Sequence, residues 1–299
     1  MIVALTGASG FIGSYIAASL KRRGHTVHAL VRAQSRRDHI AASVDRFIEG
    51  DQSDPQSQAA LCAGAECVIH NAADWDALQR SPATHIEKNV AGSLRLLEQA
   101  RLGGAEQFIF VSSVAALHEI LPGGSIDENH PTWPGSLYGA YKASVEPFLK
   151  AYHHTYGMNT SSWRPAAVYG IAPTLRDSQW FDLIDKVRKG QPIATPAGGK
   201  ITHVEDVADA LAFAAGDASV AGQFFNLAER YIYWQDVAQL AKDLTGSASI
   251  IEPLKGDGPK NQFQTGKITA FFDRHNHPAG LRRGIDGVRA HVSAVLNQS

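Results

Sequence analysis

Tyr138 and Lys142 stand four residues apart in Tyr138-Gly139-Ala140-Tyr141-Lys142, so a helix carrying them puts both on one face. A free phenol titrates near about pH 10 and is a poor base at neutral pH. A lysine ammonium beside it favours the phenolate. Ser113 closes the apolar strand predicted over 107–113, where its hydroxyl would hold a substrate oxygen between itself and the tyrosine. These three residue types fit proton transfer to or from an alcohol or carbonyl oxygen. Tyr141 has no lysine four residues on and is read as a bystander.

The elements that must position this set begin at the N-terminus. Ile2-Val3-Ala4-Leu5 reads as a buried strand and runs into Thr6-Gly7-Ala8-Ser9-Gly10-Phe11-Ile12-Gly13. Phe11, Ile12, Tyr15, Ile16 and Leu20 then fall at helical spacing. Gly7 suits a tight turn, Gly10 the approach of backbone N–H groups to a pyrophosphate, and Gly13 close packing of helix on strand. With a second strand over 26–31, this is the dinucleotide fingerprint, and Gly7, Ser9, Gly10, Phe11, Ile12 and Gly13 are assigned to the cofactor. NAD-selective folds place an acidic residue after that strand. Here Arg32 stands there, with Arg36 and Arg37 within reach, and a guanidinium bonds a 2′-phosphate that a carboxylate would repel. NADP(H) is favoured, with NAD(H) left open.

A third strand over 45–51 ends in Gly50-Asp51, where Asp51 and Gln52 are assigned to the adenosine end. A fourth over 66–70 leads into Asn71, Ala72 and Ala73, small enough for a cofactor to lie against the backbone. A helix follows from Asn89 to Gly103-Gly104, and a loop over 121–135 precedes the helix carrying Tyr138. Apolar strands alternating with helices predict an α/β, doubly wound parallel sheet. The second half offers helices over 178–189, 203–215, 235–244 and 285–296, a strand over 224–227, and loops over 253–259 and 273–284.

Composition narrows the partners. A net charge of −1 over 299 residues gives no bulk electrostatic case for nucleic acid or an anionic membrane. Thirteen histidines show no paired-ligand spacing, so no metal is expected. No apolar run approaches the roughly 20 residues of a membrane span. Cys62 and Cys67 lack a secretory context, and a strand directly after Met1 leaves no room for a signal peptide, so the expectation is a cytoplasmic enzyme with free thiols and a small-molecule substrate.

In order, TGASGFIG (6–13), GD (50–51), HNAA (70–73), NVAG (89–92), VSS (111–113), YGAYK (138–142), RPAAVYG (164–170) and HVEDVADAL (203–211) resemble the extended, epimerase/dehydratase-like branch of the short-chain dehydrogenase/reductase superfamily, including its dihydroflavonol-reductase-like members. The resemblance implies a Rossmann-type domain over 1–165 and a smaller substrate-binding lobe over 166–299, with a strand and helix near 200–228 returning to the first domain. It implies catalytic Ser113, Tyr138, Lys142 and Asn89, with Asn89, Tyr138 and Lys142 also at the cofactor, and Pro165 and Val168 beside the nicotinamide. It further implies a homodimer built on the helices that follow the fourth and fifth strands.

Two departures from the family pattern bear on the reaction. Ser113-Val114-Ala115 replaces the Thr-Asp-Glu of sugar-nucleotide 4,6-dehydratases, which argues against elimination. Residues 196–202 lack the arginine that nucleotide-sugar epimerases place before HVxDV, leaving Lys200, a point charge without the guanidinium fork. Trp75, His118 and Trp180 are expected to flank the pocket and suit a less polar carbonyl. The first reading is an NADP(H)-dependent carbonyl reductase or alcohol dehydrogenase. The alternatives are a nucleotide-sugar epimerase that retains its cofactor and a non-catalytic NADP(H)-sensing regulator, against which the intact Ser-Tyr-Lys set argues.

Overall fold

Short apolar strands separated by helices dominate the first half of the chain: β1 (Ile2–Thr6), α1 (Phe11–Arg22), β2 (Thr26–Val31), β3 (Arg46–Glu49), α2 (Pro55–Cys62) and β4 (Cys67–His70). Then come α3 (Trp75–Arg80), α4 (Pro82–His85), a π-helical turn (Ile86–Ala91), α5 (Gly92–Leu102), β5 (Gln107–Val111) and α6 (Leu137–Tyr156). The structure, a computed structural model, describes residues 1–120, 125–253 and 263–298. The first four positions of the loop expected over 121–135, and all but the first of that over 253–259, lie outside those residues.

The main sheet has the order β3-β2-β1-β4-β5-β6-β9, with β6 (Asn159–Pro165) and β9 (Gln223–Leu227), and every neighbouring pair is parallel. β4 and β5 are buried at every position, as a sheet covered on both faces requires. Strand order reverses between β1 and β4, and such a reversal leaves a crevice at the strands' carboxyl ends.

β6 is a strand that apolar patterning does not predict. Thr160, Ser161, Ser162 and Arg164 are all buried, and the fold supplies their partners. The Thr160 hydroxyl donates to the Leu149 carbonyl (2.6 Å), and the Ser162 hydroxyl to Glu146 Oε1 (2.8 Å). Arg164 makes a two-point pair with Glu146 at 2.8 and 2.7 Å, and Trp163 stacks on Phe225 of β9 with centroids 4.2 Å apart.

Beyond β6, a three-stranded sheet of order β10-β8-β7 comprises β7 (Ala167–Tyr169), β8 (Gly198–His203) and β10 (Arg230–Tyr233). With α7 (Phe181–Arg188), α9 (Trp234–Thr245) and α11 (Gly284–Gln298) it encloses a second apolar core around Tyr169, Ile184, Ile232 and Val292. α8 (Val204–Ala214) belongs instead to the main core, along with Leu20 of α1. The loop expected over 273–284 is corrected at its start: Asp273 and Arg274 end a further helix, α10 (Gly266–Arg274). Its buried Ile268, Phe271 and Phe272 join the core beside Trp163 and Phe225. Among the described residues, no helix is long and apolar enough to cross a membrane.

The buried Glu146–Arg164 pair ties α6 to β6. Removing one partner leaves the other charge without compensation, so Glu146→Ala is expected to lower unfolding free energy by about 3–5 kcal/mol in urea titrations. Glu98→Ala, which breaks a partly exposed pair with Arg101, should cost far less. Equal effects would show that the buried pair does not hold these elements together.

Candidate active-site cleft

A cleft of about 840 Å³ opens along the carboxyl ends of the central strands. One end is walled by Arg32, Ser35 and Arg36 after β2, and by Gly50, Asp51 and Gln52 after β3. Gly7, Ser9, Gly10, Phe11 and Ile12 form its middle, opposite Asn71, Ala72 and Ala73. Ser113, Tyr138, Lys142, Pro165 and Val168 line the other end. Gly7 has φ +73°, and a Cβ on Gly13 would lie 1.9 Å from the Gly7 carbonyl oxygen, so Gly13 shapes the turn by close packing rather than by lining the cleft. No side chain caps the start of α1, which leaves its first N–H groups for an anion. The residues present therefore fit a dinucleotide.

The walls at the crevice are fixed by buried side chains. Thr6 Oγ1 accepts the N–H groups of Asn71 and Ala72, each at 3.1 Å, and bonds His70 Nδ1 at 2.7 Å. His70 Nε2 bonds Ser93 Oγ (2.8 Å), which donates to the Asn89 carbonyl (2.5 Å). Asn89 sits within the π-helical turn, where a regular helix start was expected, and π-turns of this kind recur at functional sites. Its Oδ1 accepts from Asp74 N–H (2.7 Å), and its Nδ2 donates to the Asp74 carbonyl (2.9 Å). Asn89 is 1% exposed and is not among the residues that line the cleft. Its partner Asp74 does line the cleft.

Ser113 follows β5 and accepts from Ala115 N–H (3.1 Å) at the start of a short 3₁₀ turn. A Cβ on Gly139 would stand 2.3 Å from the Ala115 carbonyl oxygen, so glycine lets α6 close onto that turn. Ser136 caps α6 by accepting from Gly139 N–H (3.0 Å). Lys142 Nζ donates to the Val111 carbonyl (2.7 Å) and lies against the rings of Phe110 and Tyr141. Tyr141, the bystander, is buried and bonds Ser93 at 3.1 Å.

Electrostatics differ from the expectation drawn from residue types. Burial pushes the Tyr138 phenol up to about 12, with the Ser113 hydroxyl pulling the other way. Burial also brings Lys142 down to about 7, opposed by Glu146. In the protein alone the tyrosine is a protonated phenol, not a phenolate.

Of the expected substrate residues, Trp75 lines the cleft and stacks on Tyr138, with ring centroids 4.8 Å apart and planes 25° apart. His118 does not line the cleft: it is exposed, with its imidazole against Gly135. Trp180 is buried in the second core among Tyr169, Trp234 and His291, because an indole finds more apolar contact there than at a polar rim. Its neighbour Gln179 lines the cleft instead, a position that one polar residue before an amphipathic helix does not signal. Arg37 is held by Glu49 (2.7 Å), and the Lys200 ammonium sits over the Phe263 ring. Thr6, missed as a wall residue, opens the glycine motif and could have been found there.

The model of the NAD-dependent epimerase/dehydratase family matches residues 3–228. A UDP-glucose 4-epimerase of Mycolicibacterium smegmatis is 31% identical over 237 residues, covering 75% of each chain. A putative dihydroflavonol 4-reductase of Synechocystis is 32% identical over 140 residues, covering 47% of this chain and 40% of that protein. The solved structure of Thermus thermophilus UDP-glucose 4-epimerase in complex with NAD superposes with a TM-score of 0.75 at 26% identity, covering 97% of this chain and 99% of that one. The chain belongs to the NAD-dependent epimerase/dehydratase family, within the extended short-chain dehydrogenases/reductases, and is an NAD(P)-dependent enzyme.

Lys142 gives this site a pH signature. Between about pH 7 and its ordinary value of 10.5, the unfolded chain keeps a proton on Lys142 that the folded chain has released. The unfolded state then binds more protons, so stability rises with pH across that window. Urea denaturation should show the stability of the wild type growing relative to Lys142→Met between about pH 7 and pH 10. A constant difference would contradict the depressed ammonium.

Proposed function

We propose that this NAD(P)-dependent family member is an NADP(H)-dependent carbonyl reductase, with a substrate that carries no nucleotide. One observation carries the reading: among the described residues lining the substrate end of the cleft, Lys142 is the only cation. A sugar nucleotide brings a diphosphate, and burying it without a guanidinium leaves two charges uncompensated. Lys200, the one candidate substitute before HVEDV, is engaged over Phe263 instead.

Residues 1–165, with α8 and β9 returned to them, form the cofactor unit in this reading, and the remainder of 166–299 forms the substrate lobe. Arg32 and Arg36 hold the 2′-phosphate, with Arg37 withdrawn onto Glu49. The glycine turn and the start of α1 hold the pyrophosphate, while Pro165 and Val168 bound the far ring. When bound, the dinucleotide supplies a hydride to the substrate carbon. Ser113 and Tyr138 hold the carbonyl oxygen, and the Tyr138 hydroxyl gives it a proton. A phenol that stays protonated at neutral pH suits that role. Lys142, close to its own titration point, stands beside Tyr138 to help restore the proton. The homodimer contact is assigned to α5 and α6, where Leu102, Phe148 and Tyr156 are exposed.

A nucleotide-sugar epimerase is the second reading, favoured by the name and the 75% coverage of the M. smegmatis relative. The two share the tyrosine and differ in whether the cofactor is consumed.

Tyr138→Phe should lower NADPH-dependent reduction of a ketone and aldehyde panel by about 10²–10⁴-fold. Its NADPH dissociation constant, followed by fluorescence titration, should stay within about threefold of wild type, because the phenol oxygen is offered to the substrate. Full activity in the variant would remove Tyr138 from the chemistry.

A further inference from the structure

We infer that His85 is a positioning residue that holds Tyr138 in place for proton transfer. The inference rests on Tyr138 as the proton-transfer residue, which the reductase and epimerase readings share. His85 ends α4, is 2% exposed, and is not among the residues that line the cleft. Its Nε2 lies 3.2 Å from the carbonyl oxygen of Leu137, the first residue of α6, directly before Tyr138. Its Nδ1 lies 2.8 Å from Nδ2 of Asn89, four residues on.

The proton positions follow from the partners. The Asp74 N–H can only donate, so the Asn89 atom 2.7 Å from it is the oxygen, Oδ1. The Asn89 amide nitrogen then has two N–H groups for two acceptors, the Asp74 carbonyl at 2.9 Å and His85 Nδ1. Nδ1 must therefore be bare, and the ring proton sits on Nε2, aimed at a Leu137 carbonyl that can only accept. Reversing any one bond would set two donors or two acceptors against each other. A directed bridge thus runs from Asp74, on the cleft wall after β4, through Asn89 and His85 to the start of α6.

The other contacts at that start come from elsewhere. Ser136 caps α6 from its own loop, while the Ala115 carbonyl beside Gly139 and the Val111 carbonyl that accepts from Lys142 hold it to the β5 side. His85 ties it to the bank after β4, whose Trp75 stacks on the Tyr138 ring. The Leu137 carbonyl belongs to the peptide unit that carries the Tyr138 nitrogen, so a shift of one moves the other. A displacement of about 1 Å at a reacting group costs up to about 10²-fold in rate.

The test uses two variants. His85→Phe keeps a buried ring against Tyr141 and loses both bonds, whereas His85→Gln carries an N–H that can reach the Leu137 carbonyl. Both are compared with wild type, well below their melting temperatures, on whichever substrate the wild type turns over, a ketone with NADPH or a nucleotide sugar. His85→Phe should lower kcat about 10–10²-fold, with KM and the NADPH dissociation constant within about threefold of wild type, and His85→Gln should recover most of the loss. A histidine with only a structural role would lower the melting temperature in His85→Phe and leave the kcat of folded enzyme unchanged. That result, or equal kcat losses in the two variants, would overturn the inference. Tyr138→Phe run alongside keeps the two questions apart, since full activity there removes the tyrosine from the chemistry whatever His85 does. Heteronuclear NMR of isotopically labelled histidine rings gives a readout without turnover. The signal that disappears in His85→Gln should report a ring protonated on Nε2 and bare at Nδ1, and a proton on Nδ1 would overturn the bridge.

Discussion

Everything in the cleft depends on the seam between β1 and β4, where the sheet reverses its order. Thr6 and His70 are register partners across that seam, and their side chains bond each other. Burial holds His70 far below its ordinary value, to about 3, so the imidazole is neutral and has one donor and one acceptor nitrogen. With the Thr6 hydroxyl donating to Nδ1, Nε2–H donates to Ser93, whose own hydroxyl donates to the Asn89 carbonyl. This directed chain joins the glycine-turn strand to the π-helical turn. Residues 71–74 are suspended from it at both ends, by Thr6 and by Asn89. Buried side chains thus set the wall of the cleft.

The same economy appears on α6. Tyr138, Lys142 and Glu146 recur every four residues, and each is placed in a different electrostatic setting. Glu146 is neutralised by Arg164 on the neighbouring strand. Its charge is largely taken up there, so desolvation governs Lys142 and lowers it toward neutrality. Tyr138 remains a neutral donor for the same reason. The cations at the other end, Arg32 and Arg36, lie at the loop after β2, so the described lining carries two guanidinium groups at one end and Lys142 as its cation at the reaction end. That asymmetry is what separates a small carbonyl from a sugar nucleotide in this account.

How much was legible in the sequence follows from how local each signal is. The glycine turn and the Tyr138–Lys142 spacing are short patterns whose geometry is set by the residues themselves, and the structure brings them to one cleft. β6 was not legible because its serines, threonine and arginine look like loop residues until Glu146 and the Leu149 carbonyl are known to meet them. α10 was missed because its stripe of Ile268, Phe271 and Phe272 has only three members. The bonds of Asn89 to the Asp74 backbone were not legible, since they depend on the π-turn. Trp75, His118 and Trp180 were alike as isolated aromatics: tertiary packing put one in the cleft, one on the surface and one in a core.

The central claim is that hydride passes between NADP(H) and a free carbonyl compound. The most direct measurement is transfer from C4-deuterated NADPH to a ketone or aldehyde panel, read by mass spectrometry and NMR of the alcohol. The account predicts one deuterium on the carbinol carbon in a single configuration, with one NADPH consumed per product. Deuterium that never leaves the protein-bound cofactor, while a nucleotide sugar inverts at one carbon, would contradict it.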